Sequence, residues 1–360
     1  MLVSNTWLAT LSLTIAFAQA FPTHQFDQPL STWHSLIRGI VQNTCRSEYA
    51  TYQTGSDSGN TTRYDQTGNL INCVLGQLSE YRKATMAASA VVLGSTPLVM
   101  QTVGSTTAET AILGLRRPLL ATLLATGSPA VATIKSDQFM EVLSKFVQGN
   151  HDTSKLGIPV FQWTRKNASL QSAISVSQYV LAGAAVANVA TLAYQLGVHA
   201  IVAFAPTVTL LPPLWTFLAI LIHLGGTAAF HSRVKVRRKQ DYDVADGVVP
   251  KFILCEFTPS ALQPPRDLEW RNEHVWFYGL TWLLNLVTII QILFGTLILS
   301  SLLFFTVRDA ALVLGRYTAS AIICRAILRF ELAGCSEANL SQKSEVENLE
   351  MAAWVCGVHV

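Results

Sequence analysis

Residues 168–230 contain no Asp, Glu, Lys or Arg. A stretch of that length cannot be packed as ordinary surface helices, because each of those needs a polar face toward water. Residues 84–108 and 275–307 are likewise free of charge. Charged residues make up only 13% of the chain, against roughly 25% in soluble domains. Hydrophobic residues make up 50%, and mean hydropathy is +0.36. This pattern excludes a soluble enzyme, a disordered regulator and a nucleic-acid binder. The net charge of +3 is too small to imply an acidic partner.

Four apolar runs, at about 85–103, 175–197, 208–229 and 276–304, are long enough to span a bilayer as helices. Pro206, Pro212 and Pro213 separate the second from the third. Residues 118–134 are apolar but short, and Gly127 and Pro129 interrupt them. Residues 309–329 are apolar but hold Asp309, Arg316, Arg325 and Arg329. The positive-inside rule arbitrates. The basic run Arg233, Lys235, Arg237, Arg238 and Lys239 follows the third clear run and belongs on the cytoplasmic side. With the N-terminus outside, three crossings place it there. Residues 118–134 then lie at the cytoplasmic surface or re-enter it, which leaves Arg116 and Arg117 cytoplasmic. Residues 309–329 form the fifth span.

The fold class expected is an all-α polytopic transmembrane bundle of about five spans with a small extracytoplasmic N-terminal segment. Its C-terminus is cytoplasmic; counting 118–134 in or 309–329 out gives six spans or four. The bundle covers 85–334, with cytoplasmic loops at 104–174 and 230–275 and a tail at 335–360.

Residues 1–20 read as a secretory signal peptide, with an apolar stretch from Trp7 to Ala18 and the small-x-small pattern Ala18-Gln19-Ala20. An uncleaved anchor is the alternative. Cleavage places 21–84 in an oxidising compartment of the secretory pathway or at the plasma membrane. That segment carries the sequon Asn60-Thr61-Thr62 and two cysteines, Cys45 and Cys73, which are expected to pair. Cys255, Cys324, Cys335 and Cys356 show neither zinc-site spacing nor a CxxC pair. The sequons at Asn167 and Asn339 fall on the cytoplasmic side and should stay unmodified.

Three phrases carry a resemblance: Cys73-Val74-Leu75-Gly76-Gln77-Leu78-Ser79-Glu80-Tyr81; Arg116-Arg117-Pro118-Leu119-Leu120-Ala121 leading into Gly127-Ser128-Pro129; and Cys324-Arg325-Ala326-Ile327-Leu328-Arg329-Phe330-Glu331-Leu332. Together they resemble a group of uncharacterised multi-pass integral membrane proteins of filamentous fungi. The resemblance covers most of the chain after residue 70. It implies location and lineage, not an activity.

Phosphate-loop, dinucleotide, zincin and nucleophile-elbow signatures are absent from the sequence, so no cofactor and no metal is implied. Asp241, Asp243 and Asp246 read as a solvated turn. Polar residues instead recur at helical spacing within the spans: Ser177, Asn188, Thr191 and Gln195 on the second; Thr216, His223 and Thr227 on the third; Thr281, Asn285 and Thr288 on the fourth; Asp309, Arg316 and Ser320 on the fifth. Two readings compete. One is hydrogen-bond glue between helices, aided by the small pair Gly183 and Ala187, in a non-enzymatic receptor-like, transport-accessory or scaffolding component. The other is a polar cavity in a membrane-embedded enzyme acting on a lipid or terpenoid, with His223, Asp309 and Arg316 as acid, base or anion-holding groups. Arg316 is expected to face the bundle, with Asn285 or His223 as partner ahead of Asp309, which is seven residues away on its own helix. The run Arg233, Lys235, Arg237, Arg238 and Lys239 is a topology determinant that can also attract anionic lipid. Trp270, Trp276 and Trp282 read as interfacial anchors.

Overall fold

The computed structural model describes residues 25–27, 29, 32–54, 63–132, 139–142, 168–237, 256–260, 267–270 and 275–355. The signal-peptide region, Asn60, Asn167, Asp241, Asp243, Asp246, Cys255 and Cys356 lie outside them. The fold is an all-α polytopic bundle.

Five helices are long and apolar enough to cross a membrane: Glu80–Val103, Leu170–Val198, Leu211–Arg233, Val275–Ser300 and Val307–Gly334. These are the five runs expected, the ambiguous fifth included. Four of the five bury 39% or less of their most apolar window within the protein, which suits lipid-facing spans rather than core helices. The most apolar window of Val275–Ser300 has a hydropathy of 2.1 yet is only 28% buried within the protein. Such an outward apolar surface is stable in lipid and not in water. Residues 118–134 do not form a span. Their helix, Pro118–Gly127, has 10 residues, about 15 Å of rise, half of the roughly 30 Å hydrocarbon core.

The described residues fall into two compact units. The first takes residues up to Thr102 with Ala187–Ala219 and Ile290–Ser320. Three short helices, α1 (His34–Asn43), α2 (Arg46–Thr54) and α3 (Arg63–Gln77), open it. The expected Cys45–Cys73 disulfide is present, with the two Cα atoms 6.0 Å apart. Around it Phe26, Ile37, Val41, Tyr52, Leu70 and Val74 form a core with Ile201 and Phe304. This segment of under 80 residues has both a bridge and a packed core, as small domains need. Helix α4 (Glu80–Val103) follows and contains Pro97.

The second unit takes Val103–Val186, Ile220–Ile289 and residues from Ala321. Strand β1 (Ser105–Thr106) leads into α5 (Thr107–Arg116), whose start is a capping box: the Thr106 side chain accepts from the Glu109 N–H, and the Glu109 carboxylate accepts from the Thr106 N–H. Arg117 alone separates α5 from α6 (Pro118–Gly127). The proline explains this. It disfavours helical φ/ψ at the residue before it, and it suits the first position of a new helix. Strand β2 (Val131–Ala132) then pairs in parallel with β1.

Helices α7 (Ala168–Val198), α8 (Leu211–Arg233), α9 (Val275–Ser300) and α10 (Val307–Val355) contribute residues to both units. In the first unit β3 (Ile201–Val202), after α7, pairs antiparallel with β6 (Leu302–Leu303), after α9. In the second, β4 (Val234–Arg237) pairs antiparallel with β5 (Asp267–Trp270). Helix α10 runs on to Val355, so the expected tail at 335–360 continues the last span as backbone helix for most of its length. Trp276 and Trp282 are exposed on α9, as interfacial anchors would be.

Candidate functional site: two arginine nodes

The ArgArgPro turn between α5 and α6 points both arginines inward. Arg117 is fully buried, at 0% exposure. Its guanidinium is satisfied from three directions. Nε donates to the Glu256 carbonyl at 2.8 Å. Nη1 donates to Gln178 Oε1 at 2.6 Å and to Glu331 Oε1 at 2.9 Å, and Nη2 donates to Ser175 Oγ at 3.0 Å. Tyr179 lies beneath it, 5.4 Å from the guanidinium carbon to the ring centroid.

Glu331 of α10 is the counter-ion, buried to 1%. Its Oε1 also accepts from Gln178 Nε2 at 2.6 Å, and its Oε2 accepts from the Ser260 N–H at 3.0 Å. Glu256 completes the node. Its Oε1 accepts from the Leu120 N–H at 2.9 Å and from the Tyr179 hydroxyl at 2.7 Å. Leu120 is the third residue of α6, so a distant carboxylate caps that helix where its own N–H groups lack partners. Arg116 Nη1 donates to the Ser260 carbonyl at 2.9 Å. The five-residue strap 256–260 is therefore held at both ends.

In the sequence Arg116 and Arg117 read only as topology markers, and Ser177 stands out as a polar residue of α7. The structure leaves Ser177 exposed, bonded to the Ile174 carbonyl at 2.7 Å, and uses Ser175 and Gln178 instead. The available signal was Glu331: it shares a helical face with Cys324 and Leu328, both buried.

The second node is in the first unit and centres on Arg316 of α10. Nε donates to Asn188 Oδ1 at 2.9 Å, and Nη1 to Gln195 Oε1 at 2.8 Å. Nη2 donates to the Asn188 carbonyl at 3.2 Å and to Thr191 Oγ1 at 3.0 Å. Asn188 Nδ2 in turn donates to Ser320 Oγ at 2.8 Å. The stripes expected on the second and fifth spans thus meet each other. The expected partners do not hold: Arg316 takes three polar residues of α7, not Asn285 or His223. Those three recur at three and four residues along α7, so one helix face supplies acceptors for four of the five guanidinium donors.

His223 and Asp309 are each occupied elsewhere. His223 lies in the second unit, 2% exposed, with Nδ1 2.9 Å from Thr110 Oγ1. The Ala130 backbone lies beside the ring, and Nε2 has no partner in hydrogen-bond geometry among the described residues. Asp309 begins α10. Its Oδ2 accepts from the Thr306 hydroxyl at 2.8 Å and from the Thr32 hydroxyl at 3.0 Å, while its N–H donates to Thr306 Oγ1 at 3.1 Å. It is a helix cap that also ties down the segment before α1. Arg316 and Asp309 belong to the first unit and His223 to the second, and each has its own partners.

Of the other stripe residues, Thr216 Oγ1 lies 3.0 Å from the Tyr317 hydroxyl, and Thr227 bonds the His223 carbonyl of its own helix. Thr281, Asn285 and Thr288 line a small recess with Thr107, Ala132, Phe139 and Leu284. It has room for about one water, and no ionisable side chain lines it. Among the described residues no group of His, Cys, Asp and Glu could hold a metal ion. The register of β4 with β5 sets Lys235 opposite Glu269 and Arg237 opposite Asp267. Comparison with protein-family models, with curated proteins and with solved structures finds no match.

Proposed function

We propose that this chain is a non-enzymatic membrane component with a receptor-like, transport-accessory or scaffolding role. It would sit in the secretory pathway or plasma membrane, N-terminus outside and C-terminus cytoplasmic. One observation carries the reading: polar side chains of the spans are committed to one another, Arg316 with Asn188, Thr191 and Gln195, and Arg117 with Gln178 and Glu331. Such bonds join helix to helix and do not line an enclosed catalytic pocket. The orientation is supported by the Cys45–Cys73 bridge, which suits an oxidising compartment.

Two experiments test this. For orientation, Asn60→Gln is expected to remove a glycan-dependent gel shift, while Asn167→Gln and Asn339→Gln leave mobility unchanged. A shift on Asn167→Gln would place that loop outside and overturn the orientation. For role, His223→Gln, Asp309→Asn and Arg316→Lys are expected to change a deletion phenotype only as far as they lower protein abundance. Loss of that phenotype's rescue at normal abundance would favour the enzyme acting on a lipid or terpenoid.

A further inference from the structure

The two arginine nodes differ in one respect. Arg117 has a carboxylate, while every acceptor around Arg316 is neutral: an amide oxygen on each of Asn188 and Gln195, a hydroxyl on Thr191 and a backbone carbonyl. Among the described residues the salt bridges are Lys83–Glu80 and Arg117–Glu331, and neither involves Arg316. Asp309, on the same helix, spends Oδ2 on Thr306 and Thr32. The last carbonyls of α7 favour a cation, but a helix C-terminus carries only about half a negative charge. A guanidinium has five N–H donors, and four are used here. The fifth is on Nη1.

The location says what can reach that hydrogen. Nη1 bonds Gln195, three residues before α7 ends at Val198, so about 4.5 Å of helix separates it from that end. Arg316 stands nine residues into α10, about 13.5 Å of rise from Val307, and its Nη1 reaches toward that end of the bundle. Arg316 is only part-buried, and Thr191, Tyr194 and Leu312 beside it are exposed. The open side is thus the apolar flank of the bundle.

We infer that Arg316, with Gln195 and Thr191, holds the anionic phosphate of a membrane lipid at its remaining Nη1 hydrogen. The inference rests on α7 and α10 being membrane spans and not on the role proposed above, so either can fail alone. The phosphate supplies the counter-charge that the protein withholds, and the lipid chains lie along the exposed face of Leu312.

The test uses the full-length protein in nanodiscs of phosphatidylcholine mixed with phosphatidylglycerol, with retained lipid read by native mass spectrometry. Wild type is expected to retain phosphatidylglycerol over phosphatidylcholine by about fivefold, the ratio that one basic charge near anionic lipid yields. Arg316→Lys should keep the preference and Arg316→Gln should lower it about fivefold relative to wild type. The run at 233–239 is unchanged in both variants, so its own lipid attraction cancels. Inorganic phosphate in place of phosphatidylglycerol should leave thermal stability unchanged. Protection by inorganic phosphate that Arg316→Gln abolishes would overturn the assignment to lipid. Equal retention of the two lipids by wild type, which needs no variant to fold, or an undiminished preference in Arg316→Gln, would overturn the site.

Discussion

Replacing Glu331 with Leu is expected to destabilise the protein by about 3–5 kcal/mol, because it leaves the Arg117 charge buried without its counter-ion. The side chains of the pair are 0% and 1% exposed, so water cannot screen the loss. Three hydrogen bonds go with the carboxylate, from Arg117, Gln178 and the Ser260 N–H. At about 1.4 kcal/mol per factor of ten, the folded-to-unfolded ratio falls by roughly two to three and a half decades. Arg117→Met should cost a similar amount, since Glu331 then keeps two neutral donors and a full charge. The double variant Arg117→Met with Glu331→Leu removes both charges and refills the space with apolar atoms. It should cost clearly less than the two single losses summed. The assay is reversible unfolding in mixed detergent micelles, followed by tryptophan fluorescence. A double variant whose loss equals that sum to within about 0.5 kcal/mol would refute the reasoning. The two side chains would then be independent, and the node no more than local packing.

Three further outcomes are expected. Cys73→Ser should destabilise the α1–α3 segment by about 3–4 kcal/mol, the loop-closure entropy of a 28-residue separation, measured by unfolding with and without reductant. Gly295→Ala should cost about 1–3 kcal/mol, because a Cβ there would overlap the Trp215 indole, whose Nε1 donates to the Gln291 carbonyl; Gly183→Ala, with open space around it, should be neutral in the same thermal scan. The phenols of Tyr49 and Tyr52 are both pushed up to about 12, by burial in each case and at Tyr49 also by a hydrogen bond to Asp27. The neutral forms are therefore favoured in the folded state. Their stabilisation is complete below the ordinary phenol value of about 10 and is lost as pH rises toward 12, so absorbance near the phenolate band should show these two titrating late, together with loss of ellipticity.

The spans were legible because lipid imposes one rule over a long window: the hydrocarbon accepts about 20 apolar residues in a row and little else. The rule exposed even Val307–Gly334, despite its arginines. The Cys45–Cys73 pair was legible for a similar reason, being two cysteines in one polar segment of the outer region. The partners of Arg316 were not. Helical spacing placed Asn188, Thr191 and Gln195 on one face, but spacing within a helix carries no information about which neighbour that face meets. The Arg117 node was the least visible. Its groups come from the turn between α5 and α6, from α7, α10 and the strap at 256–260, separated by up to 214 positions in the chain. Glu256 is a single acid in a loop, with nothing nearby in sequence to mark it. The basic run was visible as charge, but the β4–β5 register that sets Glu269 and Asp267 against it depends on two strands of four residues, too short for a period to show.

The contrast between the arginines also bears on why the chain keeps them. Desolvating a guanidinium is expensive, and an apolar residue of similar size often serves packing equally well. Arg117 joins four separate stretches of chain through one planar group, which no aliphatic side chain can do. Its four hydrogen bonds reach acceptors on α7, α10 and the strap, while Glu256 holds the start of α6 from the other side. Misplacing any of these elements would strand a buried charge, so the node selects one arrangement of the second unit against its competitors. Arg316 has no such breadth: all four of its hydrogen bonds go to α7. Asn188 and Ser320 already bond between the same two helices, so the arginine is not needed to specify that contact. A charge that is costly to hold, and redundant for packing, is better explained by something it binds.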